Sequence, residues 1–132
     1  MDNKINIEKI SAHWITTSDN DFQTMLNMYK TKDYHWALFM GHLVIEKLLK
    51  CKIVQVTGQH APFTHDLRKL RKISKIELDD EKTKWLDTIT TFNLNARYDD
   101  YKQEFYQKCT KEFTDNWLEN IKVLRLWIKE KL

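Results

Sequence analysis

The sequence is poor in the two residues that most often form turns. Its 132 residues include only two glycines and one proline. An all-β fold needs a turn residue after nearly every strand, so this scarcity argues against that class. Gly41 and Gly58 cannot supply a G-x-G-x-x-G or a G-x-x-x-x-G-K-[ST] motif, which excludes the glycine loops that bind phosphate.

Cysteines and long apolar runs are scarce as well. Cys51 and Cys109 are too few for a disulfide framework, so we expect two reduced, buried thiols. No apolar run reaches the ~18 residues that a membrane-spanning helix requires. The first ten residues are charged and polar, unlike a secretory signal. These features predict a cytoplasmic protein with no membrane partner.

The composition is that of a folded domain. Hydrophobic residues make up 42% of the chain and charged residues 31%, and sixteen Trp, Tyr and Phe residues supply bulky core side chains. This length suits one domain, which we place at residues 5–131.

Apolar residues recur at helical spacing along most of the chain. The pattern predicts four long helices and one short helix, over about residues 5–29, 33–56, 65–73, 78–96 and 104–131. Thr16–Ser18 weakens the first helix, Asp33 and Thr64 are expected caps, and Gly41 indicates close approach of another helix. The predicted fold is an all-α, up-and-down antiparallel bundle.

The net charge of +3 is unevenly distributed. Residues 47–75 carry eight basic side chains and one acidic one, whereas residues 76–101 carry three basic and seven acidic ones. The basic segment is either a surface for phosphates or an acidic partner, or a solvated lysine face.

Motifs for metal binding and nucleophilic catalysis are missing. The five histidines form no H-E-x-x-H or H-x-x-x-H pattern. His35 and His42 share a helix face but lie about 10 Å apart, too far for one ion. We predict no metal and no cofactor. Cys109 lies on an apolar stripe, which favours a packing role over a nucleophilic one.

Two polar clusters remain as candidate sites. In the first, a proline loop leads into Thr64–Leu67, where His65 and Asp66 stand together. In the second, Arg97 is followed by Tyr98 and two aspartates. The cluster at Thr64–Leu67 is either a capped helix start or part of a functional site.

Arg97 has two interpretations. It is either paired with a carboxylate across the bundle, Asp21 or Glu46, or it grips a phosphate with the two arms of its guanidinium.

In order and spacing, these features resemble the HEPN domain over about residues 5–130. The features are Trp14, Asp21, Tyr34, Ala37, Glu46-Lys47, Lys50, Pro62, Thr64-His65-Asp66-Leu67 and Arg97-Tyr98-Asp99. The resemblance implies a bundle of four or five helices that forms a homodimer or pairs with a nucleotidyltransferase subunit. It also implies kinship with ribonucleases, many of them toxins, whose catalytic motif is an arginine followed after four to six residues by a histidine.

The chain departs from that motif. Arg97 matches the arginine, but the histidine would fall at Lys102, Gln103 or Glu104, and no histidine follows Arg97. This argues against RNA cleavage by the family's mechanism. The chain instead resembles the branch proposed to bind nucleotides or polyanions.

Our leading hypothesis is therefore a HEPN-domain binding protein without a catalytic residue. It would hold a nucleotide, RNA or another phosphate ligand, or pair with a nucleotidyltransferase in a toxin–antitoxin-like two-component system. The predicted ligand contacts are Arg97, Lys47, Lys50 and His65. The predicted structural polar network is Asp21, Glu46, Asp66, Tyr98 and Asp99. The alternatives are a metal-independent ribonuclease and a purely structural dimeric scaffold.

Overall fold

The computed structural model describes residues 5–132, and six α-helices account for most of them. In chain order they are α1 (Ile7–Lys30), α2 (Tyr34–Thr57), α3 (Leu67–Ser74), α4 (Asp80–Arg97), α5 (Asp99–Lys108) and α6 (Lys111–Lys129). No strand occurs within residues 5–132. The prediction of an all-α fold is confirmed, with one helix more than expected.

The first two helices form a long hairpin with a three-residue connection. α1 is continuous through Thr16–Ser18 because the hydroxyl groups there find acceptors within the hairpin. The Thr17 hydroxyl donates to the His13 carbonyl at 2.9 Å, and the Ser18 hydroxyl donates to the Val44 carbonyl of α2 at 2.9 Å. The Thr17 bond stays within α1, whereas the Ser18 bond joins α1 to α2, so neither hydroxyl interrupts the first helix.

α2 is the central helix of the fold and packs against each of the other five. Fourteen of its 24 residues are buried. A Cβ atom added at Gly41 would lie 2.5 Å from Cδ1 of Ile121 on α6 and 3.3 Å from the sulfur of Met25 on α1. The predicted close approach at Gly41 is therefore confirmed, and it occurs where α1, α2 and α6 meet.

The start of α3 differs from the prediction. Its N-cap is Asp66 and not Thr64. The Asp66 carboxylate accepts the backbone N–H groups of Arg68 and Lys69, at 3.1 and 3.3 Å. A carboxylate at this position bonds the free N–H groups of the first turn and suits the positive end of the helix dipole.

The end of the chain also differs. One helix was predicted from Glu104 to Lys131, and this was wrong, because the chain turns at Cys109 and Thr110 between α5 and α6. The Thr110 hydroxyl accepts the N–H of Phe113 at 3.2 Å and so begins a new helix. The predicted break after Arg97 is present, with Tyr98 between α4 and α5.

Within the described part of the chain, none of the helices combines the length and the apolar character needed to cross a bilayer.

The tight contact at Gly41 gives a stability prediction. The Gly41→Ala change adds a methyl group against buried Ile121. Overpacking costs about 1–3 kcal/mol, against the roughly 1 kcal/mol that alanine gains in a helix. We expect a net loss of about 1 kcal/mol in the free energy of unfolding, measured by urea denaturation.

A second substitution tests whether the contact with Ile121 causes this loss of stability. Ile121→Val removes the methyl group in the way, so the Gly41→Ala, Ile121→Val double variant should be more stable than the sum of the single changes predicts. Pairing Gly41→Ala with Ile128→Val, two turns along α6, should give simple additivity. Additive effects in both pairs would contradict the packing account.

Candidate functional site

Four buried polar side chains lie along one face of α2. They are His35, His42, Glu46 and Lys50, spaced by seven, four and four residues, and each is at most 7% exposed. Buried polar and charged groups require partners inside the protein. The partners of His42, Glu46 and Lys50 come from α2 itself, from the loop before α3 and from α4. This stripe of α2 therefore faces the two candidate clusters, the one at His65 and the one at Arg97.

Glu46 is the centre of the first cluster. Its carboxylate accepts a hydrogen bond from His65 Nδ1 at 2.7 Å and another from the Lys50 ammonium at 3.2 Å. The same ammonium lies 5.5 Å from the ring centre of Trp14 and 5.9 Å from that of Phe63. Glu46 is thus a buried carboxylate with two cationic or hydrogen-bonding partners, and it anchors the loop that precedes α3.

His42 links the first cluster to the second. Its Nε2 lies 2.9 Å from the His65 carbonyl, which can only accept, so the proton is on Nε2. The other nitrogen, Nδ1, then accepts from the Asn93 side-chain amide at 3.3 Å. Burial lowers the pKa of His42 and keeps the ring neutral, as this arrangement requires.

Arg97 stands at the end of the same chain of hydrogen bonds. Its Nε donates to the Asn93 backbone carbonyl at 3.1 Å, and Nη2 donates to the Asn93 side-chain oxygen at 2.5 Å. The guanidinium carbon lies 5.1 Å from the ring centre of Tyr98. Arg97 is exposed, and no carboxylate of residues 5–132 forms an ion pair with it. The guanidinium is therefore oriented but not neutralised.

The carboxylates expected beside Arg97 have other partners. Asp21 of α1 pairs with Lys47 of α2 at 2.5 Å, and Glu46 binds Lys50 and His65. The interpretation in which Arg97 pairs with Asp21 or Glu46 is therefore wrong.

The remaining predicted positions are dispersed. Asp66 caps α3, Tyr98 lies beneath the Arg97 guanidinium, and Asp99 opens α5 and lines a cleft. Of the three positions at which the family's histidine would fall, Lys102 and Gln103 line that same cleft. The five residues predicted as one polar network are thus spread over separate contacts.

Part of the basic segment is neutralised within the fold. Lys47 and Lys50 pair with carboxylates, and Arg68 forms a two-pronged pair with Asp87 of α4 at 2.8 and 2.9 Å. The excess positive charge of residues 47–75 is therefore partly balanced, by Asp21 and Glu46 before the segment and by Asp87 after it.

Both thiols are buried, which suits a packing role. Burial raises the pKa of Cys109 to about 12 and also raises that of Cys51, which makes both poor nucleophiles. Among residues 5–132, no three His, Cys, Asp or Glu side chains converge so that they could hold a metal ion.

Two members of the site were not foreseen as such. Asn93 is a polar residue in the buried stripe of α4, four residues before Arg97, and this spacing was the available signal. His42 precedes Glu46 by one helical turn, but nothing in the sequence shows that it reaches Asn93 in another helix.

The neutral state of His42 gives a pH prediction. Its folded pKa lies below the value of about 6.5 expected in the unfolded chain, so below that pH the unfolded chain binds a proton that the folded chain does not. As the pH is lowered below about 6.5, the free energy of unfolding should therefore decrease. The slope contributed by His42 is at most ~1.4 kcal/mol per pH unit. His42→Gln should flatten that slope in urea denaturation between pH 7.5 and 5.5.

The matched control for that series is His60→Gln, at an exposed loop position. It should reproduce the pH dependence of the unmodified chain. Parallel pH profiles for His42→Gln and the unmodified chain would show that His42 is not held neutral by the fold.

Two comparisons with known proteins identify the fold and the family of this chain. The solved structure of TT1696 from Thermus thermophilus superposes with a TM-score of 0.78 at 17% identity, over 92% of this chain and 98% of that one, which shows a shared fold. A comparison with curated protein sequences gives no significant match. The family model for the HEPN domain matches residues 11–131, and at the level of the family this supports a nucleotide- or RNA-related or ribonuclease-like role. With nearly its whole length matched, the chain belongs to the HEPN domain family.

Proposed function

We propose that this HEPN domain is a binding protein that holds the phosphate of a nucleotide or a similar anion at Arg97. The observation that carries the proposal is the state of that guanidinium. It is exposed, oriented by Asn93 and by the Tyr98 ring, and without a carboxylate partner among residues 5–132. Arg68 differs from Arg97, because its guanidinium already donates two hydrogen bonds to the Asp87 carboxylate.

The geometry suits an anion. Two of the five N–H donors of Arg97 bond to Asn93, and the other three make no hydrogen bond to residues 5–132, so they can donate to phosphate oxygens. Because the side chain is already held in place, little rotamer freedom is lost when an anion binds. The positive charge is retained at the surface, because Asn93 is neutral where a carboxylate would have cancelled it.

His65 is the second contact that we propose. Its Nδ1 is committed to Glu46, but its side chain is 45% exposed, and Nε2 has no partner among the described residues. Lys50 and Lys47 are held by carboxylates, and we assign them a supporting role through their charge.

Binding without cleavage is favoured by the state of the histidines. A ribonuclease of this family would need a histidine free to exchange a proton next to Arg97. The histidine linked to Arg97 through Asn93 is His42, which is fully buried and has both ring nitrogens engaged.

The proposal extends to assembly. Large apolar side chains are exposed on the chain, including Phe63, which is 97% exposed beside the Lys50 ammonium, and Leu126, which is 59% exposed. We propose that a second copy of the chain covers part of this surface, and that a nucleotidyltransferase subunit is the further partner in a toxin–antitoxin-like pair.

Removal of the Arg97 guanidinium tests the proposed function. We expect Arg97→Ala to weaken the binding of AMP at least tenfold in isothermal titration calorimetry, because a charge-assisted, two-pronged contact is lost. Arg68→Ala, at an exposed arginine whose fork is already filled, should bind AMP as the unmodified chain does.

Equal affinities in the unmodified chain and Arg97→Ala would refute the proposal. Incubation with RNA in EDTA tests the ribonuclease alternative alongside. Cleavage that disappears in Arg97→Ala would replace binding by catalysis as the function of this site.

The assembly proposal has its own measurement. Light scattering at micromolar concentration should give a mass twice that of the single chain. A single-chain mass under those conditions would rule out the homodimer and leave a different subunit as the partner.

A further inference from the structure

A cleft opens where the start of α2 meets α5, close to the Arg97 segment. Its volume is about 500 Å³, and it is lined by His35, Trp36, Asp99, Lys102, Gln103 and Tyr106. A recess of about 270 Å³ adjoins it and shares two of its walls, His35 and Tyr106. Sites for small molecules typically have volumes of about 300–1,000 Å³, so this α2–α5 cleft has room for a ligand the size of a nucleotide.

Aromatic rings form much of its wall. The His35 ring meets the Tyr106 ring edge to face at 5.2 Å and lies 5.0 Å from the Trp36 ring. Tyr106 is nevertheless 60% exposed. An exposed aromatic side chain held edge to face against a buried ring is a surface on which a planar, unsaturated ring can stack.

His35 supplies a buried polar group without a partner. The residue is 7% exposed, it lines the cleft, and neither ring nitrogen makes a hydrogen bond to residues 5–132, although Nδ1 is fully buried. Burial and the nearby Lys102 ammonium lower its pKa, so the ring is neutral near pH 7 and offers one donor and one acceptor. A buried nitrogen without a partner is costly to the folded chain, and a ligand with polar edges would satisfy it.

Two charges of opposite sign complete the cleft. The Lys102 ammonium lies 4.9 Å over the Trp36 ring, and no carboxylate of the described residues forms an ion pair with it. Asp99 supplies a carboxylate in the same lining. An unpaired ammonium attracts phosphate, and a carboxylate accepts hydrogen bonds from an amino group or from ribose hydroxyls.

We propose that the α2–α5 cleft binds a nucleotide unit, with its base against the aromatic wall and its phosphate toward Lys102 and Arg97. The cleft offers a partner for each part of a nucleotide. The aromatic wall can stack with the base, the Lys102 ammonium can bind the phosphate, and His35 and Asp99 can hydrogen-bond to the polar groups of the base and the ribose. The inference rests on the proposed function: Asp99 of the lining lies two residues after Arg97 in the chain, and in our proposal the cleft binds the base of the nucleotide whose phosphate Arg97 holds.

A comparison of three probes separates the base from the phosphate. Affinities of inorganic phosphate, ribose 5-phosphate and AMP are measured by calorimetry. We expect AMP to bind at least tenfold more tightly than ribose 5-phosphate, because base stacking on an aromatic side chain contributes about that factor. Tyr106→Leu should abolish the difference and leave the affinity for phosphate unchanged.

The chain offers matched controls on the same helix. Tyr101 is also exposed on α5, but it lines a different recess, so Tyr101→Leu should keep the preference for AMP. Lys102→Gln should weaken AMP binding several-fold, whereas Lys108→Gln should not, although Lys108 also lies over an aromatic ring. Since Tyr106 is largely exposed, loss of folding is not expected in Tyr106→Leu, and circular dichroism checks it.

The outcomes distinguish the two proposals. If AMP and ribose 5-phosphate bind equally and both depend on Arg97, the base site is refuted and the proposed function stands. If no probe depends on Arg97, the proposed function fails as well. If the AMP preference is lost in Tyr101→Leu and kept in Tyr106→Leu, the base lies elsewhere and the inference is overturned.

A fourth probe identifies the source of the nucleotide. A five-residue oligoadenylate that binds more tightly than AMP indicates a single RNA strand, and equal affinities indicate a free nucleotide. Either result agrees with a base site in the α2–α5 cleft, provided that Tyr106→Leu weakens both ligands.

Discussion

A carboxylate buried in the central helix has to be paired, and much of the candidate site follows from how Glu46 is paired. An isolated buried charge costs many kcal/mol, and removing one partner of a buried pair typically costs about 3–5 kcal/mol. Glu46 is 4% exposed and is held by Lys50 within α2 and by His65 from the loop before α3. The loop is thereby fixed against α2, and the His65 carbonyl is brought to His42.

From that carbonyl a directed chain of hydrogen bonds reaches the surface. His42 donates to His65 and accepts from Asn93, which leaves the Asn93 side-chain oxygen to accept from Arg97. Each group has one available role, so the orientation of the surface guanidinium is set by groups inside the bundle. Because the two groups nearest Arg97 in this chain, Asn93 and the buried His42 ring, are neutral, the arginine is oriented without losing its charge. An exposed guanidinium that is held in place and keeps its charge is the state in which an arginine binds an anion with little loss of rotamer freedom.

Periodicity and composition predicted most of the fold, and the misses have physical causes. The continuous stripes of α1, α2 and α4 are long, so their helices were found to within a few residues. The break between α5 and α6 was missed because Cys109 continues the apolar spacing across the turn, while the cap formed by Thr110 is a local contact that competes with the pattern. Thr64 was predicted as the cap of α3, but Asp66 two residues later is also a good cap, and only the backbone conformation decides between them.

The site was predicted in its residues more than in its contacts. Arg97 was noticed because the other charges near it in the sequence are acids, His65 because it stands beside Asp66 after a proline loop, and Glu46 because it precedes Lys50 by one helical turn. The sequence could not show that Asn93 holds Arg97, since an asparagine in a core stripe has many possible partners. Nor could it show that His35 meets Tyr106, because that contact joins residues 71 positions apart.

The most direct test of the central claim follows the Arg97 guanidinium itself. In an NMR titration with inorganic phosphate, the Nε–H signals of the four arginines report which of them meets the anion. Our account predicts a saturable shift of the Arg97 signal while the signal of Arg68, already bound to Asp87, stays in place. An Arg97 signal that does not move, or that moves no more than that of Arg68, would contradict the account.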